Sequence, residues 1–126
     1  MILDTNAVSD FADGDEKVLR RLRNPSTVIH LPVIVLGEYR YGLKSSRQRA
    51  ARERWLDELE ASSAVLNIES ATCRVYAQIR HELRVAGQPI HENDLWIAAL
   101  ARQHRLPVLS NDAHFDQVSG IQRVGW

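Results

Sequence analysis

The sequence predicts an α/β fold, a three-layer α/β/α sandwich around a mainly parallel five-stranded sheet. Short apolar runs alternate along the chain with longer stretches of helical periodicity. These runs are continuously apolar, which is typical of parallel strands that are buried on both faces. No repeat and no long linker divides the 126 residues. We therefore expect one domain, spanning residues 1–126.

Each element is predicted from local patterning. Strands are expected at residues 2–3, 27–31, 65–68, 107–109 and 121–124. Helices are expected at residues 15–23, 33–43, 46–62, 70–85 and 94–104. Pro32 suits the opening of the second helix, because a proline is tolerated in a first turn. Asn93 is a favourable N-cap for the last helix, which is apolar on nearly all sides and is expected to be buried.

Composition narrows the class of protein. The chain is 44% hydrophobic and 25% charged, which is ordinary for a folded globular domain. Its one cysteine, Cys73, allows no intrachain disulfide, lies in an apolar-periodic stretch and is predicted to be a buried packing residue. No segment has the roughly 20 apolar residues that cross a membrane, and the N-terminus lacks signal-peptide features. We expect a cytoplasmic protein without a membrane partner.

The formal net charge of zero does not by itself exclude a nucleic-acid partner. If four of the 16 acidic residues bind a metal, 12 acidic residues remain to balance 16 basic ones. The basic residues are mostly arginines, since only Lys17 and Lys44 are lysines, and arginine favours bidentate phosphate contacts. This balance is compatible with an RNA partner without requiring one.

Two candidate acids, Asp4 and Asp112, directly follow predicted strands. Carboxyl ends of parallel strands share one edge of a sheet, so the two should lie near each other. Hydrogen bonds from the neighbouring polar residues could orient their carboxylates. Those candidate supporting residues are Thr5, Asn6, Ser110 and Asn111. Taken alone, Asp4 could simply cap the next helix, and Asp112 could belong to a surface turn.

Two further acids lie on predicted helices. Glu38 shares a helical face with Ile34 and Tyr41 and is expected to interrupt an apolar stripe, where an unpaired carboxylate is costly. Asp94 begins the apolar helix, where the helix dipole is expected to keep it ionised. Each also has an ordinary explanation, as a solvated helix residue or as a favourable N-terminal charge.

Together these acids suit a hard divalent cation. Asp4, Glu38, Asp94 and Asp112 form an all-oxygen donor set of the kind that Mg²⁺ or Mn²⁺ prefers, with Asp116 as a candidate additional ligand. They would be both metal ligands and catalytic residues for phosphodiester hydrolysis. The chain contains no CxxC, HExxH, P-loop or GxSxG motif, and with one cysteine and no clear triad, nucleophilic catalysis by a side chain is unsupported.

Four motifs in order resemble PIN-domain ribonucleases of the VapC toxin type, over residues 1–126. They are Leu3-Asp4-Thr5-Asn6, Leu36-Gly37-Glu38-Tyr39, Asn93-Asp94-Leu95-Trp96-Ile97-Ala98-Ala99 and Leu109-Ser110-Asn111-Asp112. Ser110 stands where that family more often has threonine, a change that keeps the hydroxyl group. The resemblance implies a PIN-like fold and an endoribonuclease toxin that cuts structured RNA such as tRNA or ribosomal RNA. It also implies a homodimer, a cognate antitoxin that neutralises it, and contact with DNA only through that antitoxin.

Alternatives remain open from the residues alone. A non-catalytic module could use the same acids to bind metal or RNA, and a DNA nuclease could use the same carboxylate chemistry. A phosphatase with Asp4 as nucleophile would need a second aspartate where Asn6 stands. Arg80 and Arg84 are candidate phosphate contacts for a nucleic-acid substrate, although such residues commonly lie on solvated helix faces.

Overall fold

Five short strands form the parallel sheet that the sequence predicts. They are β1 Ile2–Leu3, β2 His30–Pro32, β3 Ala64–Leu66, β4 Val108–Leu109 and β5 Arg123–Val124. The computed structural model describes residues 1–126, and every strand pair in it is parallel. The strand order is β3–β2–β1–β4–β5, so β1 lies at the centre.

Six α-helices connect and flank these strands. They are α1 Thr5–Ala12, α2 Glu16–Leu22, α3 Val33–Leu43, α4 Arg49–Ala61, α5 Ser70–Val85 and α6 Glu92–His104. A short 3₁₀ helix, Ala113–Gln117, follows β4. None of the helices has the length and apolar character needed to span a bilayer. The architecture is the α/β/α fold expected from the alternating patterning.

Helix α6 is apolar on nearly all sides because it lies in the core of the domain. Six of its residues are buried, from Leu95 to Ala101, and α5 packs beside it. The strands are equally enclosed, with Ile2, Leu3, Val108 and Leu109 fully buried. Burial of these apolar groups is the main stabilising contribution to the fold.

Strand register brings two loop starts together. Leu3 of β1 is paired with Leu109 of β4, so Asp4 and Ser110 occupy equivalent positions after adjacent strands. The backbone amide of Asp4 also donates to the carbonyl of Leu109, at 3.3 Å. The predicted meeting of the 4–6 and 110–112 segments at one sheet edge therefore has a direct cause in strand pairing.

Several element boundaries differ from the prediction. The patterning assigns no element to residues 5–12, where the structure has α1, because only Ala7 and Val8 of that short helix are buried. Strand β2 starts at His30 rather than at residue 27, and α4 starts three residues later than expected. β-Branched residues favour strands only where a neighbouring strand can pair with them.

Two predictions about α5 and α6 are wrong in detail. Cys73 is exposed, because the buried face of α5 is formed by Thr72, Ile79 and Leu83 instead. The N-cap of α6 is His91, not Asn93, and its Nδ1 accepts a hydrogen bond from the Asn93 amide at 3.2 Å. Asp94 is consequently the third residue of α6 rather than its first.

Candidate metal and nuclease site

The four predicted acids line one cavity at the carboxyl edge of the sheet. Its volume is about 220 Å³, and none of its seven lining residues is hydrophobic. The lining consists of Asp4, Thr5, Asn6, Glu38, His91, Asp94 and Asp112. These residues come from four separate parts of the chain, so only the fold brings them together.

Asp4 is both a helix cap and a cavity residue. Its Oδ1 accepts a hydrogen bond from the Ala7 amide at 2.7 Å, which caps α1. The side chain is nearly inaccessible, and this burial raises the pKa of the Asp4 carboxyl. Hydrogen bonds from Ser110 and Ala7 lower that pKa, whereas the charges of Asp112 and Glu38 raise it. The capping role and a ligand role are therefore compatible.

Asp112, which follows the neighbouring strand β4, is likewise both a helix cap and a cavity residue. Its Oδ1 accepts from the His114 amide at 2.9 Å and lies 2.9 Å from His114 Nδ1, so it caps the 3₁₀ helix. Its Oδ2 has no protein partner among the hydrogen bonds of the structure. The fully buried Ser110 accepts the Asp112 amide at 2.9 Å, which fixes the start of this turn.

Glu38 lies at mid-helix on α3, although not for the reason expected from the sequence. The buried face of α3 consists of Val35, Leu36, Tyr39 and Leu43, whereas Tyr41 is 81% exposed. Glu38 is therefore beside the apolar stripe and does not interrupt it. The Thr5 hydroxyl donates to Glu38 Oε1 at 3.1 Å, which connects α3 to the start of α1.

The electrostatics of Asp94 also differ from expectation. The helix dipole was expected to favour ionisation, but burial raises the pKa of Asp94 to about 6. The charges of Asp112, Glu38 and Asp4 contribute to this rise, and that of His91 opposes it. Acidic side chains around a small polar cavity repel each other, and a divalent cation would reverse the sign of that interaction.

The donor chemistry of the cavity fits a hard divalent cation. Carboxylates, a hydroxyl and an amide are the oxygen ligands that Mg²⁺ and Mn²⁺ take. No three His, Cys, Asp or Glu side chains converge closely enough to enclose an ion by themselves. Mg²⁺ commonly retains several waters, and a cavity of about 220 Å³ has room for them. The residues present therefore suit a cation that is held partly through water.

Several predicted site residues lie elsewhere. Asp116 is outside the cavity, where both its oxygens accept from Arg123 at 2.9 and 2.8 Å, and this ion pair lowers the pKa of Asp116. Asn111 does not support a cavity acid, because its Oδ1 accepts the Trp126 amide at 2.9 Å. Arg80 and Arg84 line a different cavity, on the α5 side of α6.

His91 is the lining residue that sequence reasoning did not single out. It caps α6 and its proximity lowers the pKa of Asp94, which places a titratable ring beside the acids. Its position three residues before Asp94 was a usable signal. The sequence favours Asn93 over His91 at this position, because asparagine is the more usual type of N-cap residue.

A parallel α/β/α sandwich with four acids around a polar cavity at its carboxyl edge is the combination of fold and site that this chain presents. Comparison with known proteins gives the family. The PIN domain family model matches residues 1–121, and the chain belongs to the PIN domain family. The matched residues include Asp4 and Asp112, the acidic residues of the first and the last of the four sequence motifs.

Relatives and structural neighbours agree with this assignment. Ribonuclease VapC5 of Mycobacterium tuberculosis is 33% identical over 94 residues, which cover 73% of this chain and 70% of the relative. VapBC-5, a toxin–antitoxin system member from the same organism, has a TM-score of 0.74 at 27% identity, covering 98% and 94% of the chains. Rickettsia felis VapBC2, bound to a promoter DNA fragment, has a TM-score of 0.90 at 22% identity, covering 99% and 97%. The resemblance to VapC-type PIN proteins is thus confirmed.

Proposed function

We propose that this chain is a divalent-metal-dependent endoribonuclease and the toxin of a toxin–antitoxin pair. The observation that carries the proposal is the polar cavity lined by Asp4, Glu38, Asp94 and Asp112. Membership of the PIN family and a 33% identical relative named a ribonuclease support it. These acids are proposed as both the catalytic residues and the metal ligands, for Mg²⁺ or Mn²⁺.

The proposed reaction is hydrolysis of a phosphodiester bond. When bound, the cation supplies Lewis-acid stabilisation of the charge on the phosphoryl oxygens. The four carboxylates would hold it, directly or through water, and the Thr5 hydroxyl keeps Glu38 oriented by donating to Oε1. Ser110 fixes the turn that carries Asp112 by accepting its amide. Water rather than the ribose 2′-hydroxyl attacks phosphorus and the 3′-oxygen leaves, so the products carry 5′-phosphate and 3′-hydroxyl ends.

The proposal also covers the class of RNA substrate, the cellular location and the partners of the chain. We propose structured RNA, tRNA or ribosomal RNA, as substrate, and cytoplasmic action as a homodimer neutralised by a cognate antitoxin. DNA contact would occur only through that antitoxin. The support is that a 27% identical neighbour is described as a toxin–antitoxin system member. Co-expression with the antitoxin should suppress RNA cleavage and yield a stable complex.

The decisive experiment is cleavage of total RNA by the purified chain with Mg²⁺, Mn²⁺ or EDTA. Asp94→Asn and Glu38→Gln should each lower the cleavage rate by about 100-fold or more, because a metal ligand is lost. Glu58→Gln is the matched control, since Glu58 is an exposed helical glutamate outside the cavity. It should cleave like the unmodified chain.

The alternatives give different results in the same assay. Cleavage that continues in EDTA, or that survives both cavity substitutions, would contradict the proposed site. Intact RNA with metal-dependent stabilisation would favour a non-catalytic binding module. Single-stranded and duplex DNA substrates in parallel reactions test the DNA-nuclease alternative, which requires faster cleavage of DNA than of RNA.

A further inference from the structure

A second cavity lies on the other side of the first turn of α6. It has a volume of about 350 Å³ and is lined by residues of α5, of α6 and of the turn between them. The N-cap residue His91 and Asp94 of α6 belong to the acidic cavity, whereas Glu92 and Leu95 of α6 belong to this second cavity. One helical turn therefore separates the two, and we call the second one the α5–α6 cavity.

Its walls combine cationic and apolar groups. Arg80 and Arg84 are one helical turn apart on α5, so their side chains lie on the same face. Leu83, Ile90 and Leu95 contribute apolar surface, and Glu92 contributes one negative charge against the two guanidinium groups. A pocket of this size with an apolar wall and a few charged groups suits a bound ligand, and its net charge selects an anion.

Arg80 is held in place by aromatic residues. Its Nη1 donates to the Tyr76 hydroxyl oxygen at 2.7 Å, and its guanidinium lies 5.9 Å from the Tyr76 ring centroid. Tyr76 stacks on Trp96 with a centroid distance of 3.9 Å, and its hydroxyl donates to Glu92 at 3.1 Å. Only some of the donors of Arg80 are used in this way, so the group can still bind a phosphate.

Arg84 differs from Arg80 in having no side-chain partner. It takes part in none of the seven ion pairs of the chain and donates no side-chain hydrogen bond. Its guanidinium is exposed beside the buried Leu83. An unpaired guanidinium next to an apolar wall can contact a phosphate while the wall contacts the attached sugar or base.

We propose that the α5–α6 cavity binds the RNA strand beside the scissile phosphate, with Arg84 and Arg80 contacting its backbone. This inference rests on the proposed nuclease function and names where its substrate lies. A strand whose scissile phosphate is in the acidic cavity must leave it on some side. The adjoining cavity, one helical turn away, offers positive charge where the acidic cavity itself repels phosphate. The catalytic acids and the substrate contacts are thus separate groups.

The test is RNA affinity in EDTA, measured by fluorescence anisotropy with a short labelled single-stranded RNA. Arg84→Gln should weaken binding by roughly three- to tenfold, the value of one charge-assisted contact. The slope of log affinity against log salt should fall by about one, because one phosphate contact is lost. The matched control is Arg74→Gln, which removes the same charge from an exposed position on the same helix but outside the cavity.

A second variant tests the cavity without removing a guanidinium. Ile90→Asp places a carboxylate among the lining residues from a turn outside the regular helices, and it should weaken RNA binding at least as much. In the presence of Mg²⁺, Arg84→Gln should raise KM and leave kcat nearly unchanged. Melting temperatures close to that of the unmodified chain would show that the variants are folded.

The outcomes separate this inference from the proposed function. Equal affinities and salt slopes for Arg84→Gln and Arg74→Gln would overturn it, even if the chain cleaves RNA with metal. A face that instead serves an antitoxin or a second copy of the chain would give that same result, together with a changed assembly state. If the unmodified chain cleaves no RNA while binding still depends on Arg84, the nuclease proposal fails and the docking site stands.

Discussion

Asp94 is the carboxyl group on which the electrostatics of the cavity act most clearly. Burial and the neighbouring acids raise its pKa to about 6, whereas an aspartate in an unfolded chain titrates near 3.9. The folded chain therefore retains a proton that the unfolded chain releases between about pH 4 and pH 6. The proton retained on Asp94 stabilises the folded chain relative to the unfolded chain. This stabilisation is fully present below about pH 4 and is lost as the pH rises through 6.

The pH dependence of the metal-free protein tests this point. In EDTA, Asp94→Asn should raise the free energy of unfolding at pH 7 by on the order of 1 kcal/mol, after allowing for solvent screening of a half-exposed group. The difference from the unmodified chain should vanish near pH 4. Urea unfolding across this pH range measures it, and a difference that grows toward low pH would contradict the pKa assignment.

Asn111 and Asp116 show what local sequence could not predict. Asn111 adjoins Asp112 and Asp116 lies four residues after it, so by sequence both resemble supporting residues or co-ligands of Asp112. Their actual partners, Trp126 and Arg123, belong to or follow β5, and no local spacing predicts that pairing. The acids that do line the cavity were predictable because strand ends and helix starts meet at a known edge of a parallel sheet.

Helix α3 shows how an element can carry a site without being optimised as a helix. It contains Gly37 and Gly42, and a Cβ added at either glycine would meet no atom within 4 Å. A helical glycine of this kind costs about 0.5–1 kcal/mol relative to alanine, because it loses more backbone entropy on folding. The sequence predicted the bounds of α3 correctly in spite of this cost, since its apolar pattern and Pro32 dominate.

Gly37→Ala should therefore raise the free energy of unfolding by about 0.5–1 kcal/mol. Gly87→Ala serves as an opposite control, because Gly87 has a φ of +67°, where any Cβ is strained. It should lower stability instead. Urea midpoints measured at constant m-value distinguish the two, and destabilisation by Gly37→Ala would show that α3 is constrained by a contact absent from the isolated chain.

Helix α1, in contrast to α3, is not predicted from the sequence. Its eight residues, from Thr5 to Ala12, are half polar and make only about two turns, so its apolar face is too short to identify a helix from the sequence alone. Asp4 starts it by accepting the Ala7 amide, and the Trp126 indole donates to Asp10 at 3.1 Å from the far end of the chain. Tertiary contacts and a cap, rather than intrinsic propensity, stabilise this helix.

For the whole molecule, the proposed metal site implies a stability that depends on cation concentration. A cation that binds only the folded chain adds about 1.4 kcal/mol for each tenfold excess over its Kd. For a domain of this size, 1 kcal/mol corresponds to about 4 °C in Tm. Thermal unfolding should thus shift upward by roughly 5 °C per tenfold rise in Mn²⁺ once binding is saturated.

The shift should depend on the cavity acids and not on general acidity. Glu38→Gln should reduce it strongly, because the variant loses one of the four proposed oxygen ligands. Glu58→Gln should keep the full shift, as an exposed glutamate on another helix. A Tm that is independent of Mn²⁺ in the unmodified chain would exclude tight cation binding by the folded protein.

The central position of β1 has a consequence for the timing of local opening. The amides of Ile2 and Asp4 donate to carbonyls of residues 107 and 109, at 2.8 and 3.3 Å, and β2 pairs on the other side. Such amides exchange their hydrogens with solvent only when the whole sheet opens, whereas the amides of Asp112 and His114 depend on local side-chain caps. The acidic cavity therefore has one wall that opens on the timescale of global unfolding and one that can open and reclose far more often.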